Sequence, residues 1–269
     1  MTEKVAEKVA EMEMSEDHEV QTGELDIPLE SGLMNTWRFA PAGDGPLPAV
    51  LFLMDAPGLR PALHEMARTL AAAGYLVWMP NLYHRLGRAV SVGPTRAHPD
   101  EAANRERMRQ YIASLDDRTV TAELLQLAGR LPDEPRWDGG PIGLTGYCMS
   151  GRFAVLAAQA LGRRAACAAS YYGTRLVTDR DDSPHRLIGD CSAELYFSFA
   201  EHDPYVPPEH IETLRRSLAD TPVRHRIECY PGTEHGFVFA DRGTWHAAGA
   251  ARHWQTLFDL LGRHLKTGG

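Results

Sequence analysis

Short continuous apolar runs alternate along this chain with longer stretches whose apolar positions recur every three to four residues. The first pattern suits strands buried on both faces, the second the helices that cover them. The run AVLFLM at 49–54 predicts a buried strand closed by the turn Asp55-Ala56-Pro57-Gly58. A helical pattern at 63–73 stops at Gly74, and YLVWMP follows as a second buried strand. Positions 81–99 predict a long polar loop with Tyr83, His84, Arg85 and Arg88, and loops of that length in compact domains often carry function. Helices are predicted over about 100–115 and 117–131, then a strand at 141–144 and a helix over FAVLAAQALG. Further strands fall at 165–171, 193–199 and 223–230, helices at 207–218 and 245–265, with 175–190 irregular. Upstream, 18–30 and 33–40 read as strands joined by Glu30-Ser31-Gly32, an opening hairpin.

Strands that alternate with helices require right-handed crossovers. The expected fold is therefore α/β, a doubly wound and mostly parallel sheet flanked by helices, with an antiparallel hairpin at its N-terminal edge. No internal repeat or composition break divides 18–269, which reads as one domain. Residues 1–17 are dense in charge and read as a flexible N-terminal extension or a frayed helix.

Composition narrows the partners. A length of 269 residues with 43% hydrophobic content supports a sizeable core. The formal charge of −8 and the lack of a basic cluster argue against a nucleic-acid partner. Cys148, Cys167, Cys191 and Cys229 show no CxxC spacing, so neither a disulfide framework nor a zinc knuckle is expected, as suits a reducing cytoplasm. The start of the chain lacks the apolar core of a signal peptide, and no run is long enough to span a bilayer, so no membrane partner is expected. Monomer and homodimer both remain open.

The candidate chemistry centres on Gly146-Tyr147-Cys148-Met149-Ser150-Gly151, between a predicted strand and helix. This is a nucleophile-elbow pattern with cysteine at the centre and serine at the second glycine position. A strand turning sharply into a helix needs small flanking residues, which Gly146, Ser150 and Gly151 supply. The turn would hold the sulfur at a helix N-terminus, where free N–H groups and the dipole favour a thiolate and receive an oxyanion. The alternative is a buried cysteine in an ordinary turn.

A thiol nucleophile needs a base, and the base an orienting acid. In an α/β hydrolase these follow the nucleophile in the order acid, histidine, each after a later strand. Asp203 lies past AELYFSF and His235 past IECYPG, in that order. His202 competes with His235, and Glu201 and Asp190 compete with Asp203. His64-Glu65 begins like a zinc motif, but Arg68 occupies the second ligand position; phosphate-cradling glycine patterns are also missing. No cofactor and no metal is expected.

With those residues in view, the chain resembles the dienelactone hydrolase family of α/β hydrolases. The resemblance rests on AVLFLMDAPGL, AAAGYLVWMPNLYHR, LTGYCMSGR, SYYG, AEHDPYVP and YPGTEHGF, in the family's order. It implies a catalytic Cys148, Asp203 and His235, with the amides of Ala56 and Met149 as the oxyanion hole. Two departures stand out. The family's thiol-contacting glutamate is here Asp55, which is either a shorter substitute or a turn-forming aspartate. The family grips a substrate carboxylate with two arginines; Arg85 matches the first, or is a solvated loop residue, while Phe239 stands at the second and Arg242 is out of register. Tyr147, Phe237 and Phe239 join Arg85 as candidate substrate contacts.

The expected function is a cysteine-nucleophile hydrolase of small ester, lactone or thioester substrates. Two alternatives remain: an acyl-transfer or ring-opening enzyme using the same triad, and a ligand-binding or thiol redox-sensing protein on the same fold.

Overall fold

The computed structural model describes residues 19–88, 90–93 and 99–266; the expected extension at 1–17 and part of the loop at 81–99 lie outside them. Strands β1 (Val20–Leu29) and β2 (Gly32–Pro41) form the opening antiparallel hairpin around Glu30 and Ser31. Then come β3 (Ala49–Leu53), β4 (Leu76–Pro80), β5 (Ile142–Tyr147), β6 (Ala165–Tyr171), β7 (Glu194–His202) and β8 (His225–Glu234). Helices are α1 (Pro61–Ala72), α2 (Glu101–Ala113), α3 (Asp117–Ala128), α4 (Gly151–Leu161), α5 (Pro184–Leu187), α6 (Pro208–Ala219) and α7 (Ala247–Leu265).

The strands lie in the order β1-β2-β4-β3-β5-β6-β7-β8. β2 is antiparallel to β4, and every later pair is parallel. β3, β4 and β5 are buried along their whole length, as their unbroken apolar runs require. Helix α7 presses on β5 so closely that a Cβ on Gly143 would lie 2.6 Å from Leu261.

Chain direction reverses between β3 and β5. From β3 the chain moves outward to β4, and from β5 it moves the other way to β6. Crossover helices diverge at such a switch point and leave a crevice beyond the carboxyl ends of the two strands. Asp55-Ala56 and Cys148 stand just past those ends.

Some element boundaries differ from the sequence expectation, and each difference has a cause. β5 continues past 144 to Tyr147 because it is sandwiched between β3 and β6, with Tyr147 paired to Tyr171. β7 and β8 each run beyond 199 and 230 because they pair with each other as far as His202 and Glu234. The segment 175–190 contains the one-turn helix α5, too short to show helical periodicity.

Candidate active site

Cys148 follows β5 at φ 56°, a left-handed conformation that a side-chain-bearing residue adopts at a cost of roughly 1–3 kcal/mol. A single tight turn over Cys148–Ser150 then leads into α4. The flanking glycines are required by contact. A Cβ on Gly146 would sit 2.3 Å from the Ser150 carbonyl oxygen, and one on Gly151 would sit 2.7 Å from Gly173 Cα. Ser150 does more than stay small: its hydroxyl accepts from the Tyr147 amide at 2.9 Å and lies 3.1 Å from the Leu53 carbonyl, tying the elbow to β3. The Thr174 amide donates to the Cys148 carbonyl at 3.0 Å, which fixes the turn from the β6 side.

His235 Nδ1 and Asp203 Oδ2 are 2.8 Å apart. Asp203 Oδ1 accepts from the Tyr205 amide at 2.9 Å, so both carboxylate oxygens are used. His235 Nε2 is buried and has no hydrogen-bond partner among the described residues, and the imidazole is the strongest charged influence on the Cys148 thiol. The rings of Tyr172 and Tyr205 pack edge-on against the imidazole, with centroids 4.9 and 4.8 Å away. The competing residues are occupied elsewhere. Glu201 accepts from the Gly232 amide at 2.7 Å, exposed His202 lies 3.7 Å from Glu201, and Asp190 accepts from Gln159.

Electrostatics favour a charged pair. Burial pushes the Cys148 thiol up, but His235, with help from Arg242, outweighs it and leaves the thiol below its ordinary value. Burial alone would lower the His235 imidazole; the Cys148 charge and the Asp203 hydrogen bond reverse this and raise it to about 9. Both shifts favour the thiolate–imidazolium form over the neutral pair.

The Tyr83 hydroxyl donates to the Ala56 carbonyl at 2.9 Å and lies 3.2 Å from Met149 Sδ. It thereby joins the two residues whose amides the resemblance assigns to the oxyanion hole. Among the described residues, neither amide is used by a loop hydrogen bond.

Asp55 is fully buried, and its carboxylate is committed to two guanidinium groups. Oδ1 pairs with Arg60, and Oδ2 accepts from Arg242 Nη2 at 2.6 Å. Burial opposes its ionisation, but these arginines hold the carboxyl below its ordinary value. Asp55 thus acts on the Cys148 sulfur through its charge rather than through a hydrogen bond. Phe239 lies beneath the same cage, its ring centroid 4.6 Å from the Arg60 guanidinium and 5.7 Å from that of Arg242. Sequence reading passed over Arg60 and set Arg242 out of register. The turn that brings Arg60 back to Asp55 has no helical spacing, and 187 positions separate Arg242 from its partner.

The other expected contacts lie behind this surface. Arg85 pairs with the buried Glu123 on α3, which anchors the long loop to the helical layer. Tyr147 is fully buried, its hydroxyl 2.9 Å from His253 Nε2, with its ring against Phe52, Tyr171 and Phe239. Phe237 packs into Tyr172 and Tyr230. These three aromatic residues form the wall under the site rather than an open face. A cleft of about 470 Å³ adjoins it where Tyr205, Arg175 and His210 meet. No cluster of three His, Cys, Asp or Glu side chains is placed to hold a metal ion among the described residues. No helix there is long and apolar enough to cross a membrane.

Sheet order, crevice and strained elbow define an α/β hydrolase. The chain belongs to the dienelactone hydrolase family, whose sequence model matches residues 34–265. A Yersinia pestis protein provisionally named carboxymethylenebutenolidase is 28% identical over 252 residues, covering 92% of this chain and 90% of its own. The carboxymethylenebutenolidase of Rhodococcus opacus is 26% identical over 224 residues, covering 81% of this chain and 82% of its own. A crystal structure from Klebsiella pneumoniae, provisionally described as a dienelactone hydrolase, superposes with a TM-score of 0.78 at 25% identity, covering 91% of this chain and 99% of that one.

Proposed function

We propose that this hydrolase opens small ester, lactone or thioester substrates with Cys148 as nucleophile, His235 as general base and Asp203 as the residue that orients it. The observation that carries the reading is the Asp203–His235 hydrogen bond of 2.8 Å, with the other ring nitrogen buried and unpaired among the described residues and the imidazole acting on a cysteine that sits on a strained elbow. Asp203 fixes the tautomer by accepting the hydrogen bond that Nδ1–H donates, which leaves Nε2 to exchange a proton with sulfur.

His235 takes the Cys148 proton, and the thiolate attacks the carbonyl carbon. The Ala56 and Met149 amides receive the oxyanion. As the tetrahedral intermediate collapses, imidazolium returns the proton to the leaving oxygen or sulfur. Water then attacks the thioester with His235 again as base, which releases the acid and restores the thiol. For a lactone, leaving group and acyl group belong to one molecule, and ring opening yields a single hydroxy acid.

The test is intact-protein mass spectrometry during incubation with a panel of chromogenic esters, lactones and thioesters, with product release followed in parallel. The reading expects turnover and a transient acyl adduct on Cys148. A Cys148→Ala protein that hydrolysed every substrate the parent hydrolyses would sink it.

A further inference from the structure

Tyr172 is a buried polar residue that the triad leaves unused. It directly follows β6 at φ 39°, again in the left-handed region, and its amide donates to the Ser198 carbonyl at 2.6 Å. The side chain is fully buried between His235 and Phe237, with ring centroids 4.9 and 5.2 Å away. Its hydroxyl has no hydrogen-bond partner among the described residues. A buried, unpaired O–H is a cost to stability that phenylalanine in the same place would not carry. Tyrosine at this position therefore calls for a role that the resting contacts do not supply.

The neighbours indicate the role. The charged groups that act on the hydroxyl are Asp55, Arg242 and Cys148. Asp55 and Arg242 already compensate each other through their ion pair, whereas a charged Cys148 sulfur has the His235 imidazole on one side and lone pairs left to accept a further donor. Burial holds the phenol well above its ordinary value, so it stays protonated and keeps an O–H to donate. The other groups acting on the sulfur are placed independently: His235 after β8, Asp55 after β3, Arg242 in the loop before α7, Arg152 on α4 and Tyr83 after β4.

We propose that Tyr172 is a positioning residue for the nucleophile: its hydroxyl donates to the Cys148 sulfur when that sulfur is charged, and its ring edge keeps the His235 imidazole turned toward it. This rests on the reading of Cys148 as nucleophile. Neutral thiol needs little from the phenol, and no hydrogen bond joins the two in the structure described; the thiolate is a far stronger acceptor. The donor is thus spent at the step where charge appears.

The experiment is the Tyr172→Phe variant, which keeps the ring and removes only the hydroxyl. The rate of Cys148 alkylation by iodoacetamide is measured against pH, with the modified site located by mass spectrometry and Cys148→Ala as blank. Ester kcat and KM and thermal melting are recorded alongside. The midpoint of alkylation moves up by about one pH unit, a tenfold loss of thiolate below it. The value of kcat falls while KM holds, and the melting temperature stays level or rises. An alkylation profile that superposes on the parent's, with kcat unchanged, overturns the proposal. A lower melting temperature with that same unchanged profile assigns Tyr172 a structural role and overturns it equally. Alkylation needs no substrate, so the two readings fail separately: a parent without Cys148-dependent turnover sinks the hydrolase reading, and an unmoved profile sinks this one.

Discussion

Asp203 and His235 are the first residues beyond a register pair, His202 with Glu234, at the ends of neighbouring parallel strands. An irregularity between Ala200 and His202 creates this alignment. Ala200 pairs with Tyr230, so an undisturbed register would set Asp203 beside Thr233; the bulge advances the partner to His235. Bulges re-aim side chains in this way next to active sites. The 2.8 Å contact between carboxylate and imidazole is thus built into the backbone of β7 and β8.

Asp203→Asn is therefore expected to leave the fold intact and lower kcat by on the order of a thousandfold, because the amide no longer stabilises the Nδ1–H tautomer or the imidazolium. Steady-state kinetics with any substrate the parent accepts, beside a melting curve, checks this. An asparagine variant within threefold of the parent would remove Asp203 from the triad.

The charged pair gives stability a defined pH dependence. His235 is raised in the folded state from an ordinary 6.5 to about 9, so its contribution is fully present below 6.5 and is lost as pH rises through about 9. The melting temperature should fall across that window. Cys148→Ala removes the largest favourable influence on the imidazole, so its decline should be shallower and occur at lower pH. Melting curves of both proteins between pH 6 and 10 decide it; identical pH dependence would mean that Cys148 does not hold the imidazolium.

Asp55→Asn leaves the Arg60 and Arg242 guanidinium groups without their shared counter-charge. Breaking a buried pair from one side costs about 3–5 kcal/mol, and denaturant unfolding should show a loss of that size. The sulfur responds in the opposite sense. Asp55 raises the thiol, so its removal should shift Cys148 alkylation to lower pH. A shift to higher pH would instead identify Asp55 as the base that activates the thiol.

Gly146→Ala would place a methyl group 2.3 Å from the Ser150 carbonyl oxygen, a contact that only backbone movement can relieve. A loss of about 3 kcal/mol or more is expected, together with slower Cys148 alkylation as the elbow opens. Gly139 provides the control, since a Cβ there has no atom within 4 Å and the penalty is conformational alone. Equal losses at the two positions would mean that close approach is not what requires Gly146.

The two remaining alternatives from the sequence have distinct signatures in the same assays. An acyl-transfer enzyme gives a second product only when an acceptor is added. A thiol sensor gives stable, thiol-reversible oxidation of Cys148 without turnover.

Much of this protein was legible in the linear pattern of its residues. Unbroken apolar runs define β3 and β4, because a strand with neighbours on both edges and helices on both faces has no polar side to show. The small residues around Cys148 mark the elbow, since a strand-to-helix turn this tight excludes a Cβ at Gly146. The order of Cys148, Asp203 and His235 follows from strand order, which sequence carries directly. What sequence could not show depends on where separate segments meet. The bulge that selects His235 exists only once β7 and β8 pair. The arginine cage around Asp55 joins residues with no helical spacing across 187 positions, and it engages a carboxylate that the sequence left either as a thiol contact implied by the family resemblance or as a turn former. Arg85, which the linear pattern left either at a substrate carboxylate or in solvent, pairs with Glu123 on a helix whose packing no local pattern reveals. Periodicity records the solvent exposure of one segment at a time; ion pairs and buried, unpaired hydroxyls such as that of Tyr172 are properties of two or more segments in contact, and only the tertiary structure decides them.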